Sequence, residues 1–336
     1  MPDRPQPRLR RMAPALTLVV LAPLLTEVLP GATRFSSLFV FPIEMAVWGG
    51  GALMIREIVR RNGLGWPSML LLAIALSLAE EFIIQQSSVA PLVVQLRGVV
   101  YARAFGINYV YLAWALIYET AFVVFAPIAL TELIFPRRAT EPWANRTGMV
   151  VTSLLFVAGA FFAWFTWTQI ARPQVFHLPA YAVPLSTAIS AVVAIILLLG
   201  LGVTRRPATD SPRPYGLALA APLLASAGFV WAVLLYGIVV LAFGIAPNFP
   251  PAAALAIAAL LAITPFFVLP ASLGDARTAV ARRYWLLFGT ILGAMAAGFV
   301  GFIGAVSTDL IFKVIANLIA VALLLLLGKR LRRPAI

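Results

Sequence analysis

The chain has no cysteine and a single histidine, His177, among 336 residues. That excludes disulfides, thiolate metal sites, a cysteine nucleophile and any multi-histidine metal or haem site. Charge is scarce as well. Asp, Glu, Lys and Arg make up 11% of the residues, against about 25% in an ordinary soluble domain. Only 12 residues are acidic. What fills the space is apolar: 62% of the chain is hydrophobic and the mean hydropathy is +0.99. This composition excludes a soluble globular domain, a disordered chain and a small disulfide scaffold. It specifies an all-α, polytopic transmembrane helix bundle, with the lipid bilayer as its first partner and no cofactor expected.

A hydrocarbon core of about 30 Å takes about 20 apolar residues as a helix. Ten segments qualify: 13–30, 36–55, 66–89, 107–135, 148–170, 180–203, 215–243, 251–271, 285–306 and 308–327. Pro23, Pro42, Pro127, Pro222 and Pro265 fall inside them and are expected to kink the helices. Residues 1–25 have the basic start and apolar stretch of a signal peptide, but no clean A-x-A site follows. The segment is therefore read as a retained first span. The connections are too short for a soluble domain, so residues 1–336 form a single membrane domain.

Net charge +13 would suggest nucleic acid in a soluble protein. No basic stripe interleaved with aromatics is present, so no nucleic-acid partner is expected and the charge is read as topology. Clusters at 4–11, 56–61, 137–146, 205–213, 277–283 and 329–333 hold twenty of the 25 basic residues. Arg34, Arg97, Arg103, Arg172 and Lys313 lie on the other side. Lys and Arg collect in cytoplasmic loops. The protein is therefore expected in the cytoplasmic membrane of a bacterium or archaeon, with both termini cytoplasmic and an even number of spans.

The acidic residues locate the polar chemistry. Asp3, Glu57, Glu141, Asp210 and Asp275 fall in loops or at span ends and are expected to be solvated. Glu132 is expected to meet Arg137 or Arg138. Glu27, Glu44, Glu80, Glu81 and Glu119 lie within spans, where a charge costs about 2.5–3.5 kcal/mol on insertion scales. All five belong to the first four spans. Residues 13–135 thus read as the polar-site half and 148–327 as the scaffold half.

In the third span Ser77, Glu80, Glu81, Gln85 and Ser88 share an arc of about 140° at helical spacing, a face that must meet protein or water. Two adjacent carboxylates in low dielectric cannot both ionise cheaply, so the pair is expected to share a proton. Such a pair can carry protons, ligate a cation or act as general acid and base. The fourth span repeats Asn108, Tyr111, Ala115 and Glu119 at the same spacing, with bulky Phe122 next on that face. The second places Glu44 with Ser37, Trp48 and Gly51. Glu80, Glu81, Glu119 and Glu44 are the proton, cation or acid–base candidates. Ser77, Gln85, Ser88, Asn108 and Tyr111 are their supporting groups, and no metal site is expected. Arg97 and Arg103 flank Tyr101 in an outer loop and are candidates for contact with an anion. His177 reads as a solvated loop residue.

In the second half Gly289, Gly293, Ala297, Gly301 and Ala305 recur every four residues, a face for close helix contact. Gly289, Gly293, Ala297 and Gly301 are also where a homo-oligomer would pack. Asp309 and Lys313, at i and i+4, are expected to pair locally. An echo between Ala22–Glu27 and Ala126–Glu132 is too short to argue an inverted repeat.

The stretch Ile55-Arg56-Glu57-Ile58, Arg60-Arg61 and Gly63-Leu64-Gly65-Trp66-Pro67-Ser68 is followed by Glu80-Glu81, Tyr101-Ala102-Arg103, Gly106-Ile107-Asn108-Tyr109-Val110 and Glu132-Leu133-Ile134-Phe135-Pro136-Arg137-Arg138. Together these resemble an uncharacterised group of bacterial and archaeal multipass membrane proteins over about residues 15–150. The resemblance implies a fold and a location and brings no activity. Glu80-Glu81 is also similar to the glutamate pair of the CPBP group of intramembrane CAAX-type proteases. Those proteins carry E-E-x-x-x-R and histidines on other spans. Here Gln85 stands where the Arg is expected, and no histidine lies within a span. This second resemblance implies an inactive or repurposed relative.

Three functions follow as expectations. The first is proton- or cation-coupled transport of a small solute. The second is a membrane-embedded hydrolase acting on lipid or peptide. The third is a non-catalytic assembly subunit.

Overall fold

The computed structural model describes residues 8–90, 102–175, 177–178, 181–204, 220–240, 246, 248–271 and 276–332. Hydrocarbon offers the backbone no hydrogen-bond partner, so each apolar segment closes its own N–H and C=O groups as a helix. Nine helices among the described residues are long and apolar enough to cross a membrane. They are α1 (Arg11–Val28), α2 (Phe35–Arg61), α3 (Trp66–Ile84), α4 (Tyr109–Ile134), α5 (Arg146–Val175), α6 (Leu185–Thr204), α7 (Ala221–Val240), α9 (Ala279–Phe302) and α10 (Ser307–Arg332). The segment expected at 251–271 is α8 (Pro251–Ala271), apolar over Pro251–Phe266.

Helix ends differ from the sequence expectation for identifiable reasons. α2 continues past residue 55 because Arg56 and Glu57 are buried in the bundle instead of ending it at water. α3 stops at Ile84, five residues early, where the chain turns through Gln86 at φ +61°. The start expected at 107 for α4 is a two-residue strand. Arg103–Ala104 (β1) pairs antiparallel with Ile107–Asn108 (β2). The turn residues Phe105 and Gly106 both have positive φ, as a tight hairpin requires.

Two regions hold the bundle together. Around α1–α5 an apolar layer includes Leu18, Val47, Trp48, Leu53, Leu72, Val124 and Ile128. In the second half α9 lies directly on α7. A Cβ on Gly289 would stand 1.8 Å from the Ala225 carbonyl oxygen, and one on Gly293 would stand 2.4 Å from that of Phe229. The small-residue face is thus filled within the chain at these two positions, and they offer no surface to a second copy. Gly301 is exposed with nothing near it, and Ala297 is half-buried.

The expected Asp309–Lys313 pair does not form. Asp309 accepts from the Ser36 N–H at 3.0 Å and the Ser36 hydroxyl at 3.1 Å. Lys313 donates to the carbonyls of Leu29 and Pro30 at 2.8 and 2.9 Å, with its ammonium 4.5 Å from the centre of the Phe299 ring. The connection between α1 and α2 offers buried carbonyls and a hydroxyl, and each charge finds more bonds there than in its neighbour. Gly298 completes this clamp: a Cβ there would stand 1.8 Å from the Pro30 carbonyl oxygen. Gly298→Ala is expected to cost about 1–3 kcal/mol through overpacking. Gly301→Ala, in open space, is expected to cost nothing. Thermal unfolding of the two purified variants checks the contrast.

Candidate functional site

Each of the first four helices widens into a π turn beside a glutamate. In α1 the turn Leu24–Val28 contains Glu27. In α2 the turn Met45–Gly49 follows Glu44 directly. In α3 the turn Glu80–Ile84 opens on Glu80 and Glu81. In α4 the turn Thr120–Phe125 follows Glu119. A π turn inserts one residue and loosens the i→i−4 ladder, and such turns concentrate at functional sites. Pro23, immediately before the first, removes a ladder N–H.

The four candidate glutamates are buried: Glu44 is 5% exposed, Glu80 and Glu81 3% each, and Glu119 8%. Glu81 and Glu119, from α3 and α4, lie within hydrogen-bonding reach of each other. The Ser88 hydroxyl donates to Glu81 Oε2 at 2.5 Å. Ser77, whose hydroxyl donates to the Ala73 carbonyl at 3.1 Å, lies beside Glu119. The Thr33 hydroxyl donates to Glu44. Glu27 is within electrostatic reach of both Glu44 and Glu80, and Tyr111 of Glu27, Glu81 and Glu119. All five intramembrane glutamates therefore converge on one polar region.

Tyrosines wall its edge. Tyr118 donates to the Thr26 carbonyl and stacks on Trp114, with centroids 4.8 Å apart. Tyr236 of α7 meets Tyr118 edge-on at 5.5 Å. That contact brings the second half of the chain to the site, and Tyr236 carried no sequence signal beyond being a polar aromatic in an apolar span.

Among the described residues none of the five glutamates forms an ion pair. Glu44 Oε2 and both oxygens of Glu80 have no hydrogen-bond partner there either. No group of three His, Cys, Asp or Glu residues among them could hold a metal ion. Buried carboxylates without a cation are costly, whereas carboxyl groups that hold and exchange protons, or that receive a passing cation, are not.

Several expected site residues do other work. Asn108 caps α4, its Oδ1 accepting from the Tyr111 N–H at 2.9 Å. Gln85 is only half-buried. The π turn adds a residue to α3, so burial passes to Gln86. Arg103 donates to the carbonyls of Val89, Ala90 and Gly106, so its guanidinium fastens the hairpin instead of waiting for an anion. Arg97 and Tyr101 lie outside the described residues. His177 is exposed.

A second charged cluster, at the opposite end of α2 and α4, was missed. Glu57 is fully buried, not solvated, and Glu132 meets α2 rather than Arg137 or Arg138. Arg56, also fully buried, contacts Glu132 at 3.2 Å and Glu57 at 3.3 Å. It donates further to the carbonyls of Ala139 and Glu141 and lies 3.1 Å over the Trp143 ring. Glu57 accepts from the Trp143 N–H at 2.6 Å and from Arg61, and Arg60 reaches Glu132 at 2.7 Å. The i,i+4 spacing of Glu57 and Arg61 was the available sequence signal. Glu57 reads as solvated in the sequence because the loop that covers it, 139–144, lies far away along the chain.

No family model, curated protein or solved structure matches this chain.

Proposed function

We propose that the glutamate cluster is the coupling site of a transporter that moves protons or a small cation together with a small solute. The observation that supports this reading is the convergence of five carboxyl groups from four helices, none of them ion-paired among the described residues. Intramembrane carboxylates most often mark ion pathways, and loosened helical turns beside them give the backbone room to rearrange.

On the orientation set by the basic clusters, both termini are cytoplasmic and α8 is the eighth of ten spans. At 1.5 Å per residue its 21 residues reach about 31 Å, enough to cross. Through Ala254 and Ala258 its start belongs to the same apolar cluster as Tyr109 and Tyr111 at the outer end of α4. Phe266, toward its other end, meets Trp66 at the inner start of α3 at 5.4 Å. The protein then belongs to the cytoplasmic membrane of a bacterium or archaeon. Glu119 lies about 15 Å from the Tyr109 end of α4, and Glu80 and Glu81 lie one turn from the end of α3. The cluster thus sits toward the outer half. The apolar layer of Leu18, Val47, Leu53, Val124 and Ile128 separates it from the inside, and turnover requires that layer to open.

The test is proton movement in proteoliposomes under an imposed pH gradient. Flux in wild type that disappears in Glu80→Gln/Glu81→Gln is the expected result. Equal flux in both would overturn the assignment. A second reading, a membrane-embedded hydrolase, has one observation in its favour: the Ser88 hydroxyl is held on a carboxylate that could serve as its base. Cleavage of a lipid or peptide substrate without proton movement would select it.

A further inference from the structure

Residues 29–34 join α1 to α2 and are tied in two directions. Toward the carboxyl site, the Gly31 and Thr33 N–H groups donate to the Glu27 carbonyl at 3.1 and 3.0 Å. The Thr33 hydroxyl donates to Glu44 Oε1, and the two residues are 4% and 5% exposed. Thr33 thus covers Glu44. Away from the site, the same short segment is held by α10 and by the connection that leads into it. Lys313 donates to the Leu29 and Pro30 carbonyls at 2.8 and 2.9 Å. Arg34 donates to the Gly301 carbonyl at 2.8 Å, and Asp309 accepts from Ser36. The Phe302 ring lies against Gly31, where a Cβ would stand 2.4 Å from it and φ is +93°.

Lys313 is the member of this set that can let go. It is 1% exposed, and among the described residues it forms no ion pair. A buried ammonium without a counter-charge is costly, and bonds to neutral carbonyls offset only part of that cost. A second acceptor stands on its own helix. Asn317 is four residues further along, the spacing at which side chains on one helical face meet. It is 6% exposed, and neither its carboxamide oxygen nor its nitrogen has a hydrogen-bond partner among the described residues. An ammonium that leaves the connection finds its next acceptor in that oxygen. Lys313 therefore has two partners in α10's surroundings, and only the first of them keeps Thr33 on Glu44.

We propose that Lys313 latches the α1–α2 connection over the carboxyl site, and that transfer of its ammonium from the Leu29 and Pro30 carbonyls to Asn317 uncovers Glu44. Lys313 touches neither the carboxyl groups nor a solute. It is a positioning residue that acts through the backbone of 29–33. The role of this opening in turnover rests on the transport reading above, and the latch itself does not.

The test exploits the absence of cysteine from the chain. In Thr33→Cys, in nanodiscs, the thiol at Glu44 is titrated with a charged thiosulfonate. Adding Lys313→Met is expected to raise the modification rate by about tenfold or more, the size of one net charge-assisted hydrogen bond. Adding Glu57→Ala, which loosens the opposite end of the bundle, should leave the rate unchanged. Equal rates with and without Lys313→Met, or an equal rise in Glu57→Ala, would overturn the latch. Should Lys313→Met fail to fold, Arg34→Met carries the same comparison. A second arm joins Ser36→Cys to Asp309→Cys with a one-carbon bis-thiosulfonate. Proton flux should fall about tenfold on cross-linking and return with reductant, and flux indifferent to the cross-link overturns the gating role. The thiol rates need no transport, so they decide the latch even where no vesicle carries protons.

Discussion

Glu57→Ala is expected to destabilise the protein by about 3–5 kcal/mol, the usual cost of removing one partner from a buried ion pair. The reason lies in what remains. Arg56 is completely enclosed, and without Glu57 it loses one of the two carboxylates it contacts and keeps Glu132, which it shares with Arg60. The Trp143 N–H loses its acceptor at the same time. The loop 139–144, folded over Arg56 through the Ala139 and Glu141 carbonyls, loses its anchor. Arg61→Ala removes a contact whose basic side chain is one-third exposed, and there the expected cost is about 1 kcal/mol or less. Thermal unfolding in detergent measures both. Equal midpoints for Glu57→Ala and Arg61→Ala would show that the buried network does not hold this end of the bundle.

Glu119→Gln is expected to reduce proton flux by about tenfold or more, the scale on which a positioned proton-transfer group acts, while leaving the unfolding midpoint near that of wild type. Glu119 is the link between helices: it meets Glu81 from α3, lies beside Ser77 and faces Tyr111. The amide keeps its volume and its hydrogen bonds but cannot release a proton. Glu141→Gln is the control, because that carboxyl is exposed and pairs with Arg138 in the connection before α5. Vesicle flux under a fixed pH gradient separates the two variants. Undiminished flux in Glu119→Gln would place the pathway elsewhere.

The bundle was legible because apolar runs of about 20 residues leave the backbone no alternative to a helix. The glutamates were legible because a carboxyl in such a run stands out against its neighbours. Helical spacing put Ser77, Glu80 and Glu81 on one side of α3, while Ser88 reaches Glu81 from the turn beyond the end of that helix. It failed at Gln85, because a π turn has no marker in composition and shifts every later residue around the helix. The positions of Asp309 and Lys313 were read by local spacing, which is a weak guide once a connection distant in sequence offers buried carbonyls. The Arg56 network failed for the same reason: its partners come from three separated segments. Sequence periodicity reports which face of a helix is polar. It does not report which other element that face will meet.

The central claim is that the intramembrane glutamates hold exchangeable protons, whereas the ion-paired glutamates at the other end of the bundle do not. A membrane-permeant carbodiimide adds to the protonated form of a carboxyl group, and the adducts can be mapped by mass spectrometry. Adducts on Glu80, Glu81 or Glu119, with none on Glu57 or Glu132, are the result expected here. Labelling confined to exposed Glu141, or labelling of Glu57 as strong as that of Glu119, would contradict it.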